Sequence, residues 1–133
     1  MKAVGSKITK GINHGALITC ADNSGAKVLR VFAVKGYKGR KRRQLKAGVG
    51  DVVLCSVRKG TPKIKQETPL AIIIRQKKEI RRPDGTRIKF EDNAAVVLKD
   101  EKGNPRGSIL KGPIAKEVAE RWPNIAKIAT IIV

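Results

Sequence analysis

The feature that most constrains the fold is a series of short segments in which apolar and polar side chains alternate. Residues 27–34 and 51–59 place valine, leucine, alanine or cysteine at every second position, which is the period of a β-strand. Residues 16–21 and 94–98 are shorter strand candidates, and 70–74 form a continuous apolar run typical of a strand buried on both faces. Short strands with a turn roughly every ten residues favour a small closed barrel over a parallel sheet with crossover helices.

Turn sequences separate these segments. Residues 22–25, Asp-Asn-Ser-Gly, combine side-chain acceptors with a glycine that tolerates positive φ and predict a hairpin. Residues 83–85, Pro-Asp-Gly, predict a second tight turn. In residues 86–90, we expect Thr86, Ile88 and Phe90 to point inward and the two basic residues between them to point outward.

One helix is predicted late in the chain. Pro113 suits its first position, and Ile114, Val118 and Trp122 follow at a four-residue spacing that forms one apolar stripe. Pro123 would end the helix.

The outer side of this helix carries two pairs of opposite charge at the i,i+4 spacing, Lys116 with Glu120 and Glu117 with Arg121. After the helix, residues 128–133 are apolar and have strand propensity. We expect this tail to pack back on the barrel, because a free segment of this kind is prone to aggregate.

The chain is strongly basic, and the charge is unevenly distributed. Its 133 residues contain 30 Lys and Arg against 11 Asp and Glu, for a net charge of +19, and 41% hydrophobic residues, enough for a core. Residues 1–90 carry +18 of that charge, whereas residues 91–133 are nearly neutral. A polyanion is therefore expected to meet the first ninety residues, which leaves the last part free for another partner.

Several functional classes are disfavoured. His14 is the only histidine, in a lead-in expected to be mobile, so Ser-His and Cys-His catalysis lack support, and no phosphate-cradling glycine motif occurs. Cys20 and Cys55 lack metal-ligand spacing and are interpreted as core thiols. We expect no cofactor, no metal and no membrane span, since no apolar run approaches about 20 residues. A nuclease using Glu91 and Asp92 is disfavoured because adjacent strand residues face opposite ways.

Two basic segments are the candidate nucleic-acid-binding surface. Residues 35–46, here called the basic ribbon, contain seven cations and no acid, and residues 75–89 are also basic. Arginine binds phosphate oxygens bidentately. Of the four aromatic residues only Tyr37 is placed to stack a base, which favours recognition of folded RNA or DNA through phosphates and shape. The candidate residues are Lys35, Tyr37, Lys38, Arg40, Lys41, Arg42, Arg43, Lys46, Lys59, Arg75, Lys77, Lys78, Arg81, Arg82, Arg87 and Lys89.

The spacing of several motifs resembles the signature of the ribosomal large-subunit protein L14 family, also called uL14. The signature-like residues are Ala71–Ile74, Asp84-Gly85, Phe90, Asn93 and Val96-Val97. Further agreement comes from residues 21–26, 48–51, 81–85 and 112–113. The resemblance runs from about Leu17 to the C-terminus. The lead-in, the long ribbon and the isoleucine-rich tail are similar to the archaeal and eukaryotic branch.

The resemblance implies one barrel domain over residues 1–133, with a lead-in (1–15), the basic ribbon (35–46) and a C-terminal helical region and tail (106–133). It implies a five-stranded barrel, a non-enzymatic structural role in the cytoplasmic ribosome, and binding to large-subunit rRNA at the subunit interface. Its implied partners are small-subunit rRNA across intersubunit bridges, neighbouring large-subunit proteins and an anti-association initiation factor.

The near-neutral C-terminal part is predicted to face a protein, with Arg106, Lys116, Glu117, Glu120 and Arg121 as candidate contacts. A helix that merely caps the barrel is the alternative there. For the whole chain, a free-standing RNA-binding regulatory factor is the rival interpretation, because it would share the same charge.

Overall fold

A computed structural model describes residues 2–133, and its central unit is a closed five-stranded barrel. In chain order the strands are β1 (Ile12–Asn13), β2 (Leu17–Cys20), β3 (Ala26–Val34), β4 (Lys46–Ala47), β5 (Val52–Gly60), β6 (Leu70–Arg75), β7 (Ile80–Arg81), β8 (Arg87–Ile88), β9 (Ala94–Val97), β10 (Pro113–Ile114) and β11 (Ile131–Ile132). The helices are α1 (Pro62–Lys65), α2 (Lys116–Arg121) and α3 (Pro123–Ile128). The predicted small closed barrel is confirmed.

Strands β2, β3, β5, β6 and β9 pair in that order, and the barrel closes where β9 runs parallel to β2. The other four pairings are antiparallel. Along β5, Val53, Cys55 and Val57 point into the core, as their alternation predicts. Strands β6 and β9 are buried on both faces except for the partly exposed Leu70, in agreement with their continuous apolar sequences.

The predicted hairpin after β2 is fixed by a buried carboxylate. Asp22 Oδ1 accepts hydrogen bonds from the Ser24 hydroxyl at 2.6 Å and the Cys20 thiol at 2.8 Å. Its other oxygen accepts the main-chain N–H of Val97 at 2.9 Å. Asp22 thus closes the local turn and ties it to β9, where the barrel closes.

Residues 9–13 of the lead-in are part of the barrel's packing, which corrects the expectation of a mobile segment for this part. Ile12 is 1% exposed, and β1 pairs with β4 at the end of the basic ribbon. The fully buried Gln76 donates to the Thr9 carbonyl at 2.6 Å and accepts the Val49 N–H at 3.2 Å. A side-chain amide with partners on both sides therefore fastens the lead-in to the barrel.

The helical boundaries near the C-terminus differ from the prediction. Pro113 lies in β10, because the main chain of Ile114 pairs with the tail strand β11, and α2 begins only at Lys116. Helix α2 ends at Arg121, just before Pro123, as predicted, and Pro123 opens a further short helix, α3, that was not predicted. The inward stripe of Ile114, Val118 and Trp122 is confirmed as buried.

The main chain of the apolar tail pairs back as a strand, as predicted, but the side chains of Ile131, Ile132 and Val133 remain exposed. Strand β11 pairs in parallel with β10, and the Val133 N–H donates to the Ile114 carbonyl at 2.9 Å. Trp122 donates its indole N–H to the Gly50 carbonyl at 2.9 Å and lies against Gly103, where a Cβ would overlap the ring. The C-terminal region is therefore tied to the barrel by main-chain and indole hydrogen bonds.

A two-stranded hairpin, β7–β8, turns through the predicted Pro83-Asp84-Gly85 sequence. Gly85 has φ +90, which an L side chain rarely adopts. Ile88 and Phe90 are half-buried, whereas Thr86 is exposed and the expectation that it points inward was wrong. No helix in residues 2–133 is long and apolar enough to span a membrane.

Candidate nucleic-acid interface

The basic ribbon leaves β3 and returns through β4 without forming strands of its own between them. Tyr37 braces it: the phenol donates to the Gln44 carbonyl at 2.8 Å, and a Cβ on Gly39 would overlap the ring. Lys41 and Arg42 have positive φ angles of 34° and 57°, so the turn of the ribbon is backbone-strained. Tyr37 therefore holds the loop together more than it offers a free face for a base.

The seven ribbon cations are exposed and largely uncompensated. Lys35 lies 3.2 Å from Glu101. Within residues 2–133 the other six have no acidic side chain within ion-pair distance; they are Lys38, Arg40, Lys41, Arg42, Arg43 and Lys46. Closely spaced cations without acidic partners repel one another and attract a polyanion.

The second basic segment lies at the same end of the barrel. Lys77, Lys78, Arg81, Arg87 and Lys89 are exposed. Lys46, at the end of the ribbon, lines the same cleft as Arg81 and Arg87 of the β7–β8 hairpin. The ribbon and the hairpin are therefore adjacent. Arg87 pairs with Glu79 at 2.9 Å. The fold therefore joins two sequence segments into one cationic surface.

Lys59 is exposed but lies apart from this surface. Lys59 is near the C-terminal end of β5. The ribbon adjoins the N-terminal end of the same strand, where the Lys35 N–H donates to the Val52 carbonyl. At about 3.3 Å per residue, roughly 20 Å separate the two ends.

Two arginines predicted to bind nucleic acid are engaged inside the protein. Arg75 is 7% exposed; it donates to Asp92 at 2.9 Å and to the carbonyls of Lys111 and Pro113 at 2.9 and 2.7 Å. Arg82 pairs with Glu117 at 3.0 Å. We therefore remove Arg75 from the proposed phosphate contacts, because its donors already have partners, and interpret Arg82 as mainly structural.

Some of the predicted protein-binding residues are exposed, whereas others have partners within the protein. Lys116 and Glu120 are exposed and lie 3.9 Å apart, as the i,i+4 spacing predicts. Glu117 is buried and pairs with Arg82 rather than with Arg121, so its predicted place on the outer side was wrong. Arg121 lies 3.6 Å from Asp51 instead.

Arg106 forms a bidentate contact with Glu67 at the protein surface. Its hydrogen bond lowers the pKa of the Glu67 carboxyl and raises the pKa of the Arg106 guanidinium. The pair joins the segment before β6 to the loop that follows β9.

The cysteines and the acidic residues offer no catalytic arrangement. Cys20 and Cys55 are buried, as predicted, and burial is the main cause that raises the pKa of each thiol to about 12. Such thiols are protonated and unreactive at neutral pH. In the described part of the chain, no three His, Cys, Asp or Glu side chains are grouped so that they could hold a metal ion.

Residues 11–133 match the family model described as ribosomal protein L14p/L23e. The chain belongs to this family. The large ribosomal subunit protein uL14 of Nanoarchaeum equitans is 59% identical over 133 residues and is covered completely, as is this chain. The proteins of the same name from Halobacterium salinarum and Haloarcula marismortui are each 56% identical with the same coverage. The archaeal L14-type resemblance inferred from the motifs is thereby confirmed.

The apolar L14 signature residues in β6 and β9 build the barrel, whereas Asp84 and Gly85 form the exposed turn of the β7–β8 hairpin. Residues 71–74 lie in β6 and residues 96–97 in β9, and all of them are fully buried. Asn93 accepts the Lys77 N–H at 2.9 Å through its side chain and the Thr19 N–H at 2.9 Å through its carbonyl. The buried signature residues therefore specify the fold, while the nucleic-acid surface is carried by residues outside the core, among them Arg81 of the motif at residues 81–85.

Sequence reasoning missed the basic residues of the lead-in. Lys7 and Lys10 lie beside the β7–β8 hairpin, held there by the Gln76 contact to Thr9. Their charge was visible in the sequence. The contact that positions them was not, because nothing local links Thr9 to Gln76.

Proposed function

We propose that the ribbon and the β7–β8 hairpin bind large-subunit rRNA through phosphate and shape contacts. As a member of the L14p/L23e family, the chain is a structural constituent of the large ribosomal subunit and not an enzyme. It acts in translation, in the cytoplasm as part of the ribosome, with large-subunit rRNA and ribosomal proteins as partners.

The observation that carries the RNA-binding proposal is the set of six ribbon cations without acidic partners in residues 2–133, next to an exposed basic hairpin. Binding to phosphates would release counterions, and this release drives association of basic proteins with nucleic acids. Because Tyr37 is engaged with Gln44, stacking on single-stranded bases is a minor contribution. The contacts should therefore recognise the position of the RNA backbone rather than the base sequence.

The test is replacement of Arg40, Lys41, Arg42 and Arg43 by Gln. Binding to large-subunit rRNA should weaken, and the slope of log affinity against log salt should become shallower by about 0.7–0.9 for each phosphate that the variant no longer neutralises. Exposed substitutions should change the free energy of unfolding by no more than about 0.5 kcal/mol each.

A matched control replaces four cations of the neutral part, Lys99, Lys102, Lys111 and Lys127, by Gln. Unchanged affinity and slope in the ribbon variant, or an equal loss in the control, would refute the ribbon as the binding element. A wild-type protein that leaves the large subunit during a high-salt wash would favour the rival regulatory-factor interpretation.

The C-terminal region is proposed as a protein-binding face at the subunit interface. Its exposed residues Arg106, Lys116 and Glu120 carry charges of both signs, and a carboxylate there repels phosphate but attracts a protein's Lys or Arg. We extend the proposal to an anti-association initiation factor on this face and to small-subunit rRNA across the interface.

Exchange of Lys116 to Glu together with Glu120 to Lys tests this face. The exchange keeps the net charge and the i,i+4 pair, so incorporation into the large subunit should be normal while factor binding weakens. Normal factor binding together with normal incorporation would contradict the protein-binding face and would favour the alternative that α2 only caps the barrel.

A further inference from the structure

The lead-in and the β7–β8 hairpin enclose a cleft on the cationic surface. The cleft has a volume of about 730 Å³ and is lined by residues 5–10, Lys46 and the hairpin. Its lining includes six cations and no acidic residue: Lys7, Lys10, Lys46, Arg81, Arg82 and Arg87. Because positive side chains line both walls, the cleft attracts anions.

The wall made by the lead-in is held in place. Gln76 donates to the Thr9 carbonyl, and Ile12 is buried in the barrel. Gly11 approaches Lys78 so closely that a Cβ would lie 2.6 Å from the Lys78 Cβ. The part of this wall around Thr9 and Lys10 is therefore in place before any ligand binds, which reduces the ordering that binding requires.

The cations of the cleft are only partly compensated. Lys10 contacts Asp51 at 3.3 Å, and Arg82 and Arg87 have acidic partners. Within the described residues, Lys7, Lys46 and Arg81 have none. Arg81 is also directly opposite Arg87 across the two-stranded sheet, and like charges in that position destabilise a strand pair. An anion in the cleft would relieve this repulsion.

We infer that this cleft binds the phosphate backbone of an unpaired RNA strand. The inference rests on the proposed rRNA-binding function and adds the lead-in, with Lys7 and Lys10, to the binding surface. The cations line two facing walls, so a flexible single strand can turn its phosphates toward both walls, whereas a stiff duplex presents its backbone to one wall at a time. No aromatic residue lines the cleft, so the strand is held through its phosphates, which carry no sequence information.

The test compares a labelled decauridylate with a blunt ten-base-pair RNA duplex by fluorescence anisotropy, using the full chain. The cleft variant carries Lys7→Gln, Arg81→Gln and Arg87→Gln. The matched control carries Lys99→Gln, Lys102→Gln and Lys127→Gln, which remove the same charge from the opposite part of the sequence. All six side chains are exposed, and coincident thermal melting of the variants and the wild type checks the fold.

We expect the cleft variant to lose about tenfold in affinity for decauridylate while duplex binding falls less than about threefold. The salt slope for decauridylate should become shallower by about 0.7 for each phosphate that is no longer neutralised. Equal losses for both RNAs, or an equal loss in the control, would overturn the cleft assignment. An aspartate decapeptide that binds the wild type as tightly as decauridylate would also overturn it, in favour of an acidic protein segment.

A second measurement locates the bound strand directly. Decauridylate containing 4-thiouridine, crosslinked to the wild-type chain and mapped by mass spectrometry, should attach within residues 5–10 and 80–88. Crosslinks confined to the ribbon would contradict the cleft while leaving the proposed function intact. If the ribbon variant with Gln at residues 40–43 also binds both RNAs normally, the proposed function itself fails, so the two failures are distinguishable.

Discussion

Replacement of Arg75 by Met should destabilise the barrel rather than weaken RNA binding. The guanidinium forms two hydrogen bonds to the carbonyls of Lys111 and Pro113, at 2.9 and 2.7 Å. Hydrogen bonds to a charged group contribute about 1.5–3 kcal/mol each. The pair with Asp92, whose side chain is 41% exposed, adds no more than about 1 kcal/mol because water screens it.

The net loss of stability is smaller than the sum of these interactions, because methionine fills much of the same space. The carbonyls of Lys111 and Pro113 can also form hydrogen bonds to water instead. We therefore expect the free energy of unfolding to fall by about 3 kcal/mol, which corresponds to a decrease in Tm of roughly 10 °C for a chain of this size. Urea unfolding followed by circular dichroism measures the first quantity and thermal melting the second.

Arg87→Met is the matched control, because it removes the same group from an exposed position on the hairpin. It should change stability by no more than about 0.5 kcal/mol and should weaken RNA binding. If Arg75→Met melts with the wild type and loses RNA affinity instead, the assignment of Arg75 as a structural residue is refuted.

Buried or paired groups lead to three further predictions. Because burial raises the pKa of Cys20 and Cys55 to about 12, a thiol reagent at pH 8 should label the native chain far more slowly than the urea-unfolded chain; equal rates would exclude burial. The Arg106 hydrogen bond lowers the pKa of Glu67 from its usual 4.5, so this contribution to stability is present at neutral pH and is lost on acidification below roughly that value. Arg106→Gln should raise the Glu67 pKa measured by NMR, and an unchanged pKa would argue against the pair. Arg82→Met should cost about 3 kcal/mol, since it leaves the buried Glu117 carboxylate without its partner. Glu117→Gln should cost less, because Arg82 keeps its bond to the Val133 carbonyl; equal costs in urea unfolding would contradict this asymmetry.

The sequence by itself determined the strands, the turns and the charge distribution. The alternation in residues 51–59 predicted which side chains of β5 enter the core, and Pro83-Asp84-Gly85 predicted the hairpin turn. These features depend on neighbours a few positions apart, so backbone preferences and side-chain periodicity suffice to specify them. The apolar family motifs at residues 71–74 and 96–97 could be recognised for the same reason, since they lie in β6 and β9.

Only the tertiary structure decided which polar side chains are available to a partner. Arg82 and Glu117, 35 positions apart, became an ion pair in which the carboxylate is buried, and Gln76 fastened Thr9 from 67 positions away. In the sequence, Arg75 and Arg82 are indistinguishable from the exposed Arg81 and Arg87. Closure of the barrel placed the first two beside acidic side chains and main-chain carbonyls and left the others facing solvent. A charged side chain inside a protein needs a partner to offset its lost hydration, and the fold alone determines where that partner lies.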